Sequence, residues 1–554
     1  AQERFGSMTG VVRDESGGVL PGVTVVITNK TTRRTVSLVT DRTGTYRAND
    51  LEPGRYSVRF ELSGFARSET PDVAVLLGKA IEIVATLKVG SVSEAVQVTA
   101  EAAPLVDMHT TTVAHNVTAE EFDRLPKTRS FQSIALTAPS VNSGEIEGGF
   151  QVNGASGAEN AFMIDGVVTN SLINGRSRQD TAFEYLQEVQ VKTTGIPAEY
   201  GGALGGVISA VTKSGGNTVR GEAHYYYEGS KISAGPVKRL VLSPVDDRTV
   251  SYVQDHKQPD NRNEFGGSLG GPLISDTLFF FGSVSPRLIR RTSAYLFSNG
   301  TTPGNIEQKQ TLMQAFGKIS YASSRVNAYG TVLYTPTDSA GTLPPYNGTA
   351  PNYISSSQAG NAANLNRGFK TDETSTTGHV DIMLSNASFL TVRGGYFRDK
   401  YQDTGISNTT SVTYQTSSVG LAGVPANVQG PIGTQNTPRA LITSHDTTTR
   451  GFVSADYNQT FSAKGSHTLK GGGGFQRTVN DVSASYPGGY VFVYWNRAFS
   501  FSGTTGRGTY GYYEVNDRGI QGTAGTDMLS LYLQDQWAVN GRLTLSLGVR
   551  TETE

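Results

Sequence analysis

The sequence contains no cysteine. Disulfide frameworks, thiolate zinc sites and a cysteine nucleophile are thereby excluded, and the composition suits an oxidising envelope compartment. Excess charge is missing too, since 47 Lys and Arg stand against 48 Asp and Glu for a formal net charge of -1. That balance gives no basic footprint for nucleic acid. No run approaches the ~18 apolar residues of a transmembrane helix, and Leu278-Phe279-Phe280-Phe281 is among the densest apolar stretches. The chain opens at Ala1-Gln2 with neither a charged nor an apolar leader region, and the expectation is a mature protein whose signal peptide has been removed. What is abundant is 65 Gly, 25 Tyr and 23 Phe against 2 Trp and 6 Met, a balance suited to short strands and tight turns.

Residues 1–89 read as a small β-sandwich. Apolar alternation in Met8–Val12, Val23–Thr28, Thr35–Thr40 and Tyr56–Leu62 is broken by the turn signals ESGGVLPG, DRTG and Glu52-Pro53-Gly54. Seven strands are expected. The phrases GVVRDESGGVLPGVTVVITN and TDRTGTYRANDLEPGRYSVRFELSGF resemble the carboxypeptidase-regulatory-like family, a transthyretin-like Ig sandwich. That resemblance implies a docking or spacer module without zinc ligands.

Residues 90–118 are small and polar and read as a linker holding one short extended patch. The string Glu94-Ala95-Val96-Gln97-Val98-Thr99-Ala100 resembles the TonB box of TonB-dependent outer-membrane transporters, an acid followed by alternating β-branched positions. An exposed extended segment can add a strand to a partner's sheet edge, which is how a periplasmic coupling protein would grip it. The same pattern also fits a last strand or packed linker.

Residues 119–217 mix helix and strand signals. TAEEFDRLP suggests a capped short helix ended by Pro126, and Ser130–Leu136 a second one. FMIDGVV, LQEVQVKTT and GGVISAVTK then alternate as strands. Their order resembles the plug domain of TonB-dependent receptors, and the positions carried over are Arg129, Asp165, Gly166, Glu188, Tyr200, Gly201, Gly206 and Lys213. Asp165-Gly166 is expected to make a tight turn, with Gly166 at positive φ. The family phrase Arg-Ile-Glu-Val is Leu186-Gln187-Glu188-Val189 here, which keeps the acid and lacks the arginine.

From residue 218 to 554 the pattern becomes that of membrane strands, ~9–11 residues of apolar and polar alternation joined by short turns and long polar loops. Val219, Gly221, Ala223, Tyr225 and Tyr227 form the lipid face of a first strand, and Arg220, Glu222, His224 and Glu228 its water face. Five hairpins follow: 263–273 with 277–285, 308–321 with 325–334, 378–384 with 389–397, 450–460 with 467–477, and 526–537 with 542–550. The intervening stretches 228–262, 286–307, 335–377, 399–449 and 478–525 read as extracellular loops. Eleven strands are expected, about half of the ~22 in a plugged outer-membrane transporter. The phrases FGGSLGGPL, LFFFGS and SLYLQDQWAVNGRLTLSLGVR resemble the Oar-like subgroup, and the expectation is a chain cut short in mid-barrel.

Catalytic signatures are matched in letter only. Gly266-Gly267-Ser268-Leu269-Gly270 fits G-x-S-x-G but falls on an expected barrel strand, and Gly506, Gly508 and Gly511 lie in a glycine-rich loop without a βαβ unit. The seven histidines form no i, i+4 helical pair. No catalytic residue, metal site or cofactor is expected.

The fold class is thus mainly β: an Ig-like sandwich, a mixed α/β plug and part of a transmembrane barrel. The resemblance implies energy-coupled transport across the outer membrane of a Gram-negative-type bacterium. The partners it implies are TonB with its inner-membrane energising complex, outer-membrane lipid, and an unknown extracellular substrate that could be a siderophore, a glycan or a peptide. The alternative is a surface protein that binds carbohydrate or adheres through the sandwich and loops.

Overall fold

The computed structural model describes residues 5–90, 95–97, 111–122, 124, 131–143, 150–170, 183–242, 248–254, 257–297, 304–343, 352–354, 366–385, 387–406, 408–436, 439–486, 488–540 and 543–553. The N-terminal cap is a sandwich of two sheets. Its strands are β1 (Gly6–Asp14), β2 (Thr24–Asn29), β3 (Thr35–Val39), β4 (Thr45–Leu51), β5 (Gly54–Glu61), β6 (Arg67–Val75), β7 (Ala80–Glu82) and β8 (Ala85–Leu87). Strict alternation on β1, β2 and β5 sends Met8, Val12, Val25, Ile27, Val58 and Phe60 into one core, where Tyr46 meets Phe60 edge-on at 5.6 Å. Eight strands form where seven are expected, because the short β7 and β8 each pair in parallel with β1.

The second cap sheet runs β3-β2-β5-β6 and gains a fifth strand, β9 (Ala95–Gln97), from the linker. Farther along, β10 (Val113–Thr118) also leaves the expected linker. It forms the edge of the plug sheet by pairing with β15 (Leu186–Thr194). The plug continues with helix α1 (Ala119–Phe122), a 3-10 turn at Phe131–Thr137 in place of the expected second helix, and a small ladder of β11 (Val141–Ser143) with β12 (Phe150–Val152). Its main sheet has the order β10-β15-β16-β13-β14, where β13 is Ala161–Ile164, β14 Val167–Val168 and β16 Val207–Thr212. Residues on β15 and β16 are buried on both faces, so they read as continuous apolar runs rather than alternation.

The remaining chain forms one large antiparallel sheet whose main path has eleven strands, the number expected. The strands span Arg220–Gly229, Asp260–Ile274, Leu278–Phe297, Gly304–Ala322, Val326–Tyr334, Gly368–Ser385, Ser388–Thr404, Ile442–Ser462, Ser466–Ser485, Gly519–Asn540 and Leu543–Thr553. Many overrun the expected limits, so parts of 286–307, 399–449 and 478–525 are paired strand rather than loop. Outward positions such as Leu529, Leu531 and Leu533 are about half exposed, whereas the alternating Ser530 and Tyr532 are buried against the interior. Lipid outside and polar groups inside account for that division.

The plug lies against the inner wall of the barrel sheet. Tyr185 stacks on Phe316 of the barrel at 4.8 Å, and Phe281, Phe316 and Leu333 close the plug's apolar core. The cap sits at the end with the short turns, where Asn49 Nδ2 donates to Thr460 Oγ1 at 3.1 Å and Asn327 Nδ2 to Glu52 Oε1 at 2.9 Å. Asn217, between plug and barrel, donates to the Thr31 and Thr32 carbonyls of the cap. The three parts are therefore in mutual contact.

Candidate functional site

Two interfaces bring the expected plug residues together: plug against barrel, and cap against plug. Asp165 and Gly166 form the turn from β13 to β14 with φ of 46° and 84°. Two positive values in succession fit a type I′ turn, and glycine carries the second without strain. The buried Asp165 carboxylate accepts the Thr212 N–H at 3.1 Å and the Thr212 hydroxyl at 2.5 Å, which ties the turn to the end of β16. From the barrel, Lys318 Nζ donates to Thr212 Oγ1 at 3.0 Å and to its carbonyl at 3.2 Å. One threonine thus joins turn and wall.

The segment Ala198–Gly201 is held more tightly. Glu199 is buried, and Lys470 Nζ of the barrel reaches its Oε2 at 2.6 Å. Gln534 accepts the Glu199 N–H at 3.1 Å and donates to Oε1 at 3.3 Å, while Arg550 Nη1 donates to the carbonyls of Ala198 and Glu199. Gly201 lies flat on this wall, since a Cβ there would fall 2.2 Å from Glu552 Oε1 and 2.6 Å from Arg550 Nε. Tyr200 turns back into the plug, accepting a hydrogen bond from Lys192 Nζ at 2.9 Å. Farther along the wall, Arg450 donates to the carbonyls of Val168 at 2.7 Å and Asn170 at 3.1 Å. The barrel therefore grips the plug with inward cations aimed at carbonyls and one carboxylate.

Glu188 occupies the other interface. The backbone N–H of Leu77, in the cap turn after β6, donates to both its oxygens at 3.1 and 3.2 Å, and Asn116 Nδ2 donates to Oε1 at 2.5 Å. The Leu77 carbonyl accepts from Asn116 at 2.7 Å and from Gln190 at 2.6 Å. Burial pushes the Glu188 carboxyl up to about 7, although the hydrogen bonds from Asn116 and Leu77 act in the opposite direction. Among the remaining expected residues, Gly206 N–H donates to Asn160 Oδ1 at 2.8 Å and Lys213 N–H to the Tyr185 carbonyl at 2.7 Å. Both serve packing within the plug. Arg129, Glu94, Val98, Thr99 and Ala100 lie outside the described residues, whereas Ala95, Val96 and Gln97 form β9 on the cap.

Where plug meets the first barrel strands, Glu184, His224 and Glu264 bring ligand atoms within 4.8 Å of one another. Among the described residues this is the group best placed to hold a metal ion. Arg287 Nε already pairs with Glu264 at 2.9 Å, and His224 Nε2 lies 4.0 Å from Glu184 Oε1. A guanidinium at that point offsets the charge a cation would need, so the group acts as a further plug–barrel contact.

Glu199, Lys318, Arg450, Lys470 and Arg550 escape a sequence reading of the plug motif. The barrel alternation does place these four cations on inward positions, but which plug atoms they reach depends on how the plug is docked. Leu77 and Asn116 give no sequence signal, since one acts through its backbone and the other stands in a segment that looks like linker.

Three family models match successive parts of the chain. Residues 7–88 match the family model of a carboxypeptidase regulatory-like domain, 107–207 that of the TonB-dependent receptor plug domain, and 211–338 with 299–554 that of an outer membrane beta barrel domain. The curated TonB-dependent transporter Oar of Myxococcus xanthus is 26% identical over 607 residues, covering 96% of this chain and 56% of that protein. The chain thus spans little more than half the length of this relative. Among solved structures, the outer membrane transporter YddB from Escherichia coli gives a TM-score of 0.56 at 18% identity, over 79% of this chain and 56% of its own. The ferric citrate transporter FecA in its unliganded form gives 0.51 at 13% identity, over 80% and 56%. These two likenesses are of fold. Because the barrel model alone matches well over half of the chain, and the plug and regulatory-like models match the parts before it, the chain belongs to the outer-membrane β-barrel family as a homologue of the TonB-dependent transporter Oar.

Proposed function

We propose that the whole protein moves a substrate across the outer membrane through its barrel, with the plug as gate and TonB, driven by an inner-membrane complex, as the source of work. Cap and plug face the periplasm, and the long connections face outward. The supporting observation is the manner in which the plug is held. Lys318, Arg450, Lys470 and Arg550 fix it through polar contacts on the inner wall. A hydrogen bond from a charged group such as these has a net worth of about 1.5–3 kcal/mol, well below its strength in an apolar medium, because water satisfies the same groups once they separate. A modest pull can therefore free a plug whose wall contacts are hydratable, whereas a wholly apolar seal would resist.

The grip for that pull is the segment Glu94–Ala100, which TonB would take by strand addition. The test is capture of the whole protein by the C-terminal domain of TonB. Val96→Pro with Val98→Pro, which removes two backbone donors from the segment, is expected to abolish capture. Undiminished capture by the double variant would remove this segment from the mechanism.

A further inference from the structure

A strand has two backbone edges, and β9 uses one of them. It runs parallel to β6, with Ala95, Val96 and Gln97 opposite Arg67, Ser68 and Glu69. It is also the terminal strand of its sheet, in the order β3-β2-β5-β6-β9, and among the described residues no strand pairs with its outer edge. The segment is thus already extended and already registered. Its outer edge offers N–H and C=O groups in the geometry that templates another strand.

We propose that the cap presents this strand to its partner: a protein with an edge β-strand of its own, the C-terminal domain of TonB, adds to the outer edge of β9 as a sixth strand of the cap sheet. The proposal rests on reading residues 94–100 as the TonB box. Ordering an extended backbone opposes association, and the cap has met that cost before the partner arrives. Sequence alone leaves a choice between coupling segment and last strand of the cap. The sheet order lets the same three residues be both.

The consequence reaches the plug. From β6 the chain passes to Leu77, which Asn116, Glu188 and Gln190 hold by both its N–H and its carbonyl. Partner strand, β9 and β6 would therefore be joined by hydrogen bonds, and β6 to the plug through the backbone to Leu77. A pull applied at β9 is then shared between the cap sheet and the chain leading to β10.

The opposite arrangement is masking, in which TonB must displace β6 to reach the segment. Residues 1–554 contain no cysteine, so a pair introduced on the cap makes the two separable. Glu69 and Gln97 are register partners on neighbouring strands, so Glu69→Cys with Gln97→Cys in the whole protein is expected to close a disulfide on oxidation. Presentation predicts that the oxidised form binds the C-terminal domain of TonB within about twofold of the reduced form. A loss of about tenfold or more on oxidation, or failure of the disulfide to form, overturns the proposal. A free peptide of residues 90–104 is expected to bind at least about tenfold more weakly than the whole protein, and equal affinity would also overturn it. If Val96→Pro with Val98→Pro leaves TonB binding intact while the disulfide still forms, the TonB-box reading fails and the placement of β9 on the cap stands.

Discussion

Leu77 of the cap and Glu188 of the plug are joined by a backbone N–H that donates to both carboxylate oxygens, at 3.1 and 3.2 Å. The contact is buried, and the carboxyl is pushed up to about 7 by that burial. It makes attachment of the cap depend on the protonation of one plug residue.

The sign follows from linkage. Glu188 exposed by undocking has an ordinary carboxyl near 4.5, while docked it stands near 7. Docking is therefore strongest below about 4.5 and weakens as pH rises toward 7, by a total of about 3 kcal/mol. Hydrogen exchange at the Leu77 amide is expected to be slower at pH 5 than at pH 8, after correction for the intrinsic rate. In Glu188→Gln that difference should vanish.

The Glu199–Lys470 pair is the contact most sensitive to loss of one partner. Lys470→Ala leaves a buried carboxylate without its cation, which costs about 3–5 kcal/mol. Calorimetry of the whole protein in detergent is expected to show the plug transition lowered and the barrel transition little changed. Glu199→Gln with Lys470→Met should recover most of the loss, because no uncompensated charge remains.

Gly201 and Gly166 differ in why glycine is needed. Gly201→Leu drives a side chain into the Arg550–Glu552 pair and is expected to cost about 1–3 kcal/mol by overpacking at the plug–barrel contact. Gly166→Ala instead forces a β-carbon onto a backbone with φ of 84°, and about 1 kcal/mol is expected within the plug itself. Protease nicking of the plug, compared between the two variants, distinguishes undocking from local strain.

On the lipid face, Leu531 stands about half exposed between the inward Ser530 and Tyr532. Leu531→Arg is expected to cost about 2–4 kcal/mol if the position lies near the bilayer midplane. Folding titrations into lipid vesicles measure this directly, and a neutral result would place Leu531 outside the hydrocarbon.

The count of barrel strands was legible because lipid enforces alternation, as in Leu529, Leu531 and Leu533. Strand length was not. The fourth hairpin was expected to begin at Arg450 and end at Arg477, yet its strands run from Ile442 and to Ser485. Beyond the bilayer both faces of a strand meet water, so pairing continues while the apolar signal stops. The plug edge was hidden for a related reason: Val113–Thr118 is mostly half-buried, and its pairing with Leu186–Thr194 brings together segments about seventy residues apart. The Asp165-Gly166 turn was readable from local chemistry alone. The clamps on Glu199 were not, since they depend on docking between two domains.

Force spectroscopy on the whole protein in a bilayer tests the central claim, that work applied through TonB unseats the plug from the barrel wall. With the C-terminal domain of TonB on the probe, retraction is expected to show stepwise lengthening before the TonB bond breaks, and a bifunctional thiol cross-linker long enough to replace the two side chains, joining Glu199→Cys to Lys470→Cys, should shorten it. Rupture of the TonB bond without any lengthening, in the unlocked protein, would contradict the account.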